Sequence, residues 1–141
     1  MSTIEDNKAL VRRYYHELVS EQRIDLLEEL IAEDAADETV VGPGGVGTRE
    51  DFVGHLRVLW ANVPDVRATV EDLVAEGDRV IAFWRIEGTH AGPVFGVPAT
   101  GKPFSGFSIS TLTIQDGKVV RYNVLPDRLG IITQLAGAGA H

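Results

Sequence analysis

The sequence predicts an α+β fold: a curved antiparallel sheet wrapped around N-terminal helices, cone-shaped, with an internal pocket. Apolar residues recur at helical spacing through the first half of the chain. After Pro64 the period changes to two, in runs separated by tight-turn dipeptides. A Gly/Pro-rich stretch, "AGPVFGVPATGKP", then divides the strands into two pairs. A sheet with one apolar face needs a cover of helices, and a strongly curved sheet leaves space beneath that cover for a ligand.

The first helix is expected over "STIEDNKALVRRYYHELV". Ser2 and Thr3 offer caps, with Glu5 and Asp6 three residues on, the capping-box spacing. Leu10, Val11, Tyr14, Tyr15 and Leu18 form its apolar stripe. "DLLEELIAE", from Asp25, reads as a second short helix and "AADETVV" as a short strand; "GPGGVG" is loop. "TREDFVGHLRVLWANV" is the third helix, with Thr48 and Asp51 at its cap. Phe52, Leu56, Leu59 and Trp60 are its buried stripe and Pro64 its end. "RATVEDLVAE" and "RVIAFWRIEGTH" make a hairpin across Gly77-Asp78. "FSISTLTI" and "VVRYNVL" flank the turn at Asp116-Gly117, and Asp127 caps a last helix, "RLGIITQLA". Residues 136–141 read as a frayed tail. With no repeat and no long linker, residues 1–141 are read as one domain.

Composition narrows the function. Of the 141 residues 44% are hydrophobic and 24% charged, an ordinary globular balance. A net charge of −8 argues against nucleic acid or an anionic membrane as partner. Without Cys there is no disulfide or thiol chemistry. His16, His55, His90 and His141 show no paired metal-ligand spacing, so no metal is expected. "GPGGVG" lacks the Lys-Ser/Thr of a phosphate-binding loop and the context of a dinucleotide site, and no cofactor is expected. No apolar run approaches the roughly 18 residues of a spanning helix. The acidic, polar start "MSTIEDNK" does not read as a signal peptide, so a cytoplasmic location is expected.

Several stretches in order resemble one family: "NKALVRRYYHEL", Arg79 to His90 with "GTHAG", "GVPATGKPFSG", "DGKV" and "LPDRLGIITQL". Over nearly the whole chain the sequence resembles the SnoaL-like polyketide cyclases, within the nuclear-transport-factor-2-like superfamily. The resemblance implies a cofactor-independent enzyme of natural-product biosynthesis acting on a small apolar or polycyclic, polyketide-like substrate. The superfamily also hosts isomerases, dehydratases, epoxide hydrolases, hydroxylases and proteins without chemistry, so the fold does not choose the reaction. The family's aldol cyclases use a His on the penultimate strand and an Asp on the last. Matching "FSG", "DGK" and "PD" places those positions on Ser110 and Val124, neither of which titrates near neutral pH. Asn123 is adjacent but points to the other face. The expected reaction is therefore a cyclisation or related rearrangement by proton transfer, without the standard aldol mechanism. The alternatives are a non-catalytic small-molecule-binding or accessory protein, a hydroxylase or epoxide-opening enzyme, and a structural subunit.

Strand alternation assigns the pocket face. If Ser110 and Val124 face inward, so do Ser108, Leu112, Tyr122 and Val120. On the preceding strand, Val80, Ala82, Trp84, Ile86 and His90 form the more uniformly apolar face. That places His90 near the pocket rim as the first candidate for proton transfer, the rival reading being a hydrogen bond to the loop backbone. The family's polar position in the strand after the second helix falls on Asp37 or Glu38. These point to opposite sides, so at most one faces the pocket as an acid or base. Tyr122, Tyr14 and Tyr15 can donate to a developing oxyanion. Expected catalytic residues are thus His90, Asp37, Glu38 and Tyr122. Expected substrate contacts are Tyr14, Tyr15, Trp60, Trp84, Phe107, Ser108, Ser110 and Val124. Apolar Ile81, Phe83 and Ile109 on the outer face predict a homodimer.

Overall fold

The computed structural model describes residues 3–38 and 47–136. Helix α1 spans Ile4–Arg13 and opens on the expected capping box: the Thr3 hydroxyl accepts from the Asp6 N–H, and the Asp6 carboxylate from the Thr3 N–H. Ser2 lies outside the described residues. The helix runs on with π geometry over Tyr14–Val19. A π turn holds one residue more than an α turn, so the consecutive pairs Tyr14-Tyr15 and Leu18-Val19 are all buried.

The second helix is shorter than its periodicity predicts. A 3₁₀ turn at Ile24–Leu26 leads into α2, Leu27–Leu30, and strand β1 begins at once, Ile31–Asp37. The helix expected through Glu33 stops because Ile31 pairs with Val119 of the last strand, and sheet pairing overrides local propensity. The strand expected at "AADETVV" is the end of β1; residues 39–41 lie outside the described residues. Helix α3, Arg49–Asn62, carries the second capping box, Thr48 with Asp51.

Strands β2 (Arg67–Glu76), β3 (Arg79–Thr89), β4 (Pro103–Gln115) and β5 (Lys118–Pro126) precede α4, Arg128–Ala136. The five strands lie in the order β1-β5-β4-β3-β2. The pairs from β2 to β5 are antiparallel as expected, while β1 joins β5 in parallel. β4 begins at Pro103, earlier than expected, because Pro103–Gly106 pair along the end of β3. This brings Phe104 into the core.

The parity assigned to the start of β5 needs correction. Thr113 pairs with Arg121 but Ile114 pairs with Val119, so Val120 is the extra residue of a β-bulge. Val119 is therefore fully buried, and Val120, expected inside, turns to the other face. From Tyr122 onward the expected parity holds.

The core lies between the inner sheet face and the N-terminal helices, around Val11, Leu18, Leu112, Ile114 and Val119. Helix α4 closes on β4 across Gly106, where any Cβ would run into the Ile131 side chain. No helix among the described residues is long and apolar enough to cross a membrane. Overpacking at such a contact typically costs about 1–3 kcal/mol. Gly106→Val is accordingly expected to lower the urea midpoint by that equivalent at unchanged m-value, with an unaltered midpoint counting against the contact.

Candidate active site

A cavity of about 360 Å³ opens between the inner sheet face, the π turn and α3. That volume suits a small multi-ring ligand. Tyr14 and Tyr15 line it from the π turn, Phe52 and Leu56 from α3, Trp84 from β3, and Tyr122 and Val124 from β5. Alternation along β4 turns Ser108 toward it as well.

Beneath this lining, the Tyr15 phenol donates to Ser110 Oγ at 2.6 Å and the Trp84 indole N–H donates to the same atom at 2.8 Å. Ser110 is fully buried. Its hydroxyl answers two donors that would otherwise be unsatisfied. The Tyr15 and Trp84 rings lie 4.6 Å apart, and Tyr122 packs 5.0 Å from Phe52 and 5.8 Å from Tyr14.

Burial, with Tyr122 beside them, pushes the phenols of Tyr14 and Tyr15 well above the usual tyrosine range. Burial also raises Tyr122, while hydrogen bonding from Tyr15, Ser110 and Tyr14 pulls the other way. All three phenols are neutral donors at physiological pH.

Among the described residues, the one carboxylate on the cavity wall is Asp37, at the end of β1. The parallel pairing sets Asp37 opposite Tyr122, and backbone bonds to Gly47 hold its other side. Asp37 is 1% exposed, and one of its oxygens lies 3.1 Å from Nδ1 of His55, whose side chain is 50% exposed. His55 also lines the cavity. It stands on α3 three residues after Phe52, beside the stripe of Phe52, Leu56 and Leu59. The sequence reading considered it only as a metal ligand and missed this role. Its place on the flank of an apolar stripe, at helical spacing, is the signal that could have found it.

Other expected site residues lie elsewhere. His90 is fully buried but is not on the cavity wall. β3 ends at Thr89, and the Gly/Pro loop folds over the ring. Nδ1 lies 2.9 Å from the Thr100 hydroxyl and accepts from the Thr100 N–H, and Nε2 lies 3.0 Å from the Val97 carbonyl. A neutral imidazole protonated on Nε2 satisfies that set. Glu38 points away from Asp37 to the surface, where it pairs with Arg121 at 3.0 Å. Trp60 is half-buried off the cavity wall, its indole N–H donating to the Val19 carbonyl. Phe107 sits on the outer sheet face, since it alternates with buried Ser108, and stacks on Phe83. Ser110 supports the lining rather than joining it. Asp37, Tyr14, Tyr15, Tyr122, Trp84, Ser108 and Val124 are brought together around the cavity.

A helix-covered, curved sheet enclosing a largely apolar cavity, with one buried carboxylate on its wall among the described residues, places the protein in the α+β class. The family model described as SnoaL-like polyketide cyclase matches residues 9–135, and the chain belongs to that family. Nogalonic acid methyl ester cyclase of Streptomyces nogalater is 29% identical over 118 residues, 80% of this chain and 85% of that protein. Aklanonic acid methyl ester cyclase DnrD of Streptomyces peucetius is 42% identical over 59 residues; the matched stretch is 42% of this chain and spans only 41% of that relative. Among solved structures, IdmH of Streptomyces antibioticus, a proposed polyketide cyclase, superposes with a TM-score of 0.80 at 30% identity, covering 92% of this chain and 97% of that one.

The chain has three tyrosines, and all three belong to this cluster. Because their folded pKa values are raised, the stability tied to the neutral phenols is complete below the ordinary tyrosine pKa of about 10 and is lost as pH rises through the folded values. Alkaline titration followed by phenolate absorbance is expected to show no step near pH 10 in the folded protein, with ionisation coinciding with unfolding. A one-proton step near pH 10 with intact circular dichroism would contradict the burial argument.

Proposed function

We propose that the protein is a cofactor-independent cyclase of polyketide-type natural-product biosynthesis, with the Asp37–His55 pair moving the proton. The observation that carries this reading is the buried Asp37 carboxylate on the cavity wall, 3.1 Å from a half-exposed imidazole. The relatives named as cyclases of aklanonic and nogalonic acid methyl esters support a polycyclic substrate of that type.

The pair removes a proton from an acidic C–H of the bound substrate. The resulting carbanion electrons form the new carbon–carbon bond to a carbonyl carbon, and the carbonyl π pair becomes an alkoxide. This is an aldol closure, which the sequence alone does not lead one to expect; it runs here on the Asp37–His55 pair in place of the strand positions held by Ser110 and Val124. The alkoxide takes a proton back from the pair, so the product is an isomer of the substrate and no oxidant or reductant is consumed. A neutral tyrosine cluster beside the carboxylate suits donation to the developing oxyanion, with Tyr122 the nearest in register to Asp37. The apolar wall excludes water and holds the reacting carbons together. A positioned acid or base contributes about 10²–10⁴-fold to rate. Asp37→Asn and His55→Gln are therefore expected to lower kcat on aklanonic acid methyl ester by that factor. If both folded variants stay within about threefold of the parent, the pair does not move the proton.

The outer sheet face supports a homodimer. Phe83, Ile109 and Leu125 stand in register across β3, β4 and β5, and Val74 pairs with Ile81 at the β2 end. Leu125 is 72% and Val74 51% exposed, and with Phe83, Ile109 and Ile81 they form a continuous apolar patch on one sheet face. Sedimentation is expected to show a dimer at micromolar concentration that Leu125→Glu weakens; a monomeric parent protein would overturn the assignment.

A further inference from the structure

We propose that Arg128 makes one mouth of the cavity a carboxylate site, so that the preferred substrate carries a free carboxylic acid at the end away from Asp37. The proposal rests on the reading of the cavity as a polyketide cyclase site and adds the substrate's charge and orientation. Among the described residues Arg128 is the one Arg or Lys on the cavity wall. It is exposed, at the first position of α4, and shares the mouth with exposed Val58 and Phe95. The neighbouring acid that could neutralise it, Asp127, instead accepts from the Gly130 N–H at 3.0 Å as the helix cap. No carboxylate among the described residues pairs with Arg128; several other arginines also lack one, but Arg128 alone among them lines the cavity.

What Arg128 does touch is an aromatic ring. Its guanidinium carbon lies 5.4 Å from the Phe95 ring centroid. Phe95 and Gly96 form the turn between the bridged residues Val94 and Val97, with φ of 48° and 79°. A bulky side chain in this left-handed region is uncommon and costs free energy. Here it places an exposed ring under the guanidinium. The loop that presents it is fixed at both ends, by Asn62 donating to the Pro93 carbonyl and by the buried His90. Two observations, a cation without a counter-charge at an apolar mouth and a strained turn that steadies it, point to an anionic group on the ligand. The fork of donors on Arg fits a carboxylate in particular.

The charges also set a direction. Asp37 stands opposite Tyr122, and from Tyr122 to Pro126 the strand climbs four residues, about 13 Å at 3.3 Å each. Asp37, with half-exposed His55 beside it, repels a carboxylate from its end of the cavity, while Arg128 attracts it to the other. An elongated polycyclic acid therefore enters with its reacting carbon toward Asp37. The relatives named above handle methyl esters, which lack that charge.

The test compares a tricyclic anthraquinone carboxylic acid with its methyl ester, by quenching of tryptophan fluorescence at about pH 7.5, where the acid is ionised. The acid is expected to bind roughly tenfold more tightly at low salt, the gap narrowing toward about 0.5 M NaCl. Arg128→Gln is expected to close the gap by weakening the acid, and Arg128→Lys to keep part of it. The proposal is overturned if the ester binds as tightly as the acid, if the gap survives in Arg128→Gln, or if neither compound binds. Turnover of a polyketide acid and its ester is read separately. An Arg128-dependent acid preference without turnover overturns the cyclase reading and leaves the carboxylate site standing; turnover without the preference overturns the site alone.

Discussion

Ser110 Oγ lies at the centre of β4, fully buried, between a phenol on the π turn and an indole on β3. A buried donor left without an acceptor costs about 1–3 kcal/mol, and two donors converge here. The hydroxyl therefore fixes where the N-terminal helix sits on the sheet and which way Tyr15 and Trp84 turn. Val124 stands directly opposite Ser110 in the β4–β5 register. These are the two places where the family resemblance puts a His and an Asp. In this chain one is a hydrogen-bond junction and the other an apolar piece of wall, so the sheet floor is built for packing and cannot exchange protons.

The acid–base pair we propose lies instead at the seam between β1 and β5. The bulge at Val120 turns Tyr122 inward, and the register shift of β1 between Ile31 and Ala36 sets Asp37 opposite it. Without the extra residue, the parity that buries Val119 would turn Tyr122 outward. With it, both point inward, and the parallel partner of Tyr122 is Asp37. The cap of α3 follows a few residues later, and helical spacing from Thr48 carries Phe52, His55 and Leu56 over the same seam. Two irregularities, the bulge at Val120 and the register shift of β1 between Ile31 and Ala36, thus let β5 and α3 meet at one carboxylate.

Features with a local cause were legible in the sequence. Both capping boxes, the four antiparallel strands, the cap of α4 and the inward set Ser108, Ser110, Leu112, Tyr122 and Val124 follow from side-chain chemistry or from alternation within one strand. Features set by distant pairing were not. Nothing in "DLLEELIAE" shows that Ile31 will leave a helix to pair with Val119. The π turn is visible only in its result, two adjacent tyrosines that are both buried. Phe107 read as a pocket residue because aromatics favour ligands, yet its parity relative to Ser108 placed it outside. His90 lay on the correct face of β3, but the strand stops one residue short of it and the loop claims both ring nitrogens. His55 was overlooked because its partner is contributed by another element, and a helix position shows its own face without showing what faces it.

In the mechanism we propose, the tyrosine cluster and the Asp37–His55 pair divide the work between them by their different access to protons. Three phenols held in a buried network stay neutral, so they can donate hydrogen bonds to an oxyanion but cannot take a proton from carbon. Asp37 is as buried as they are, but its partner His55 is half in solvent. A proton taken up inside the cavity can be shared with an imidazole at its edge, near the solvent protons that reset the site. A buried carboxylate with no such partner would be costly to keep charged. On that reading, an acid–base group at this seam has a partner in His55 and leaves the floor free to be shaped by packing. The reacting carbon must then lie at one end of the cavity rather than over its centre. A cation at the opposite end is the simplest way to hold an elongated substrate in that register.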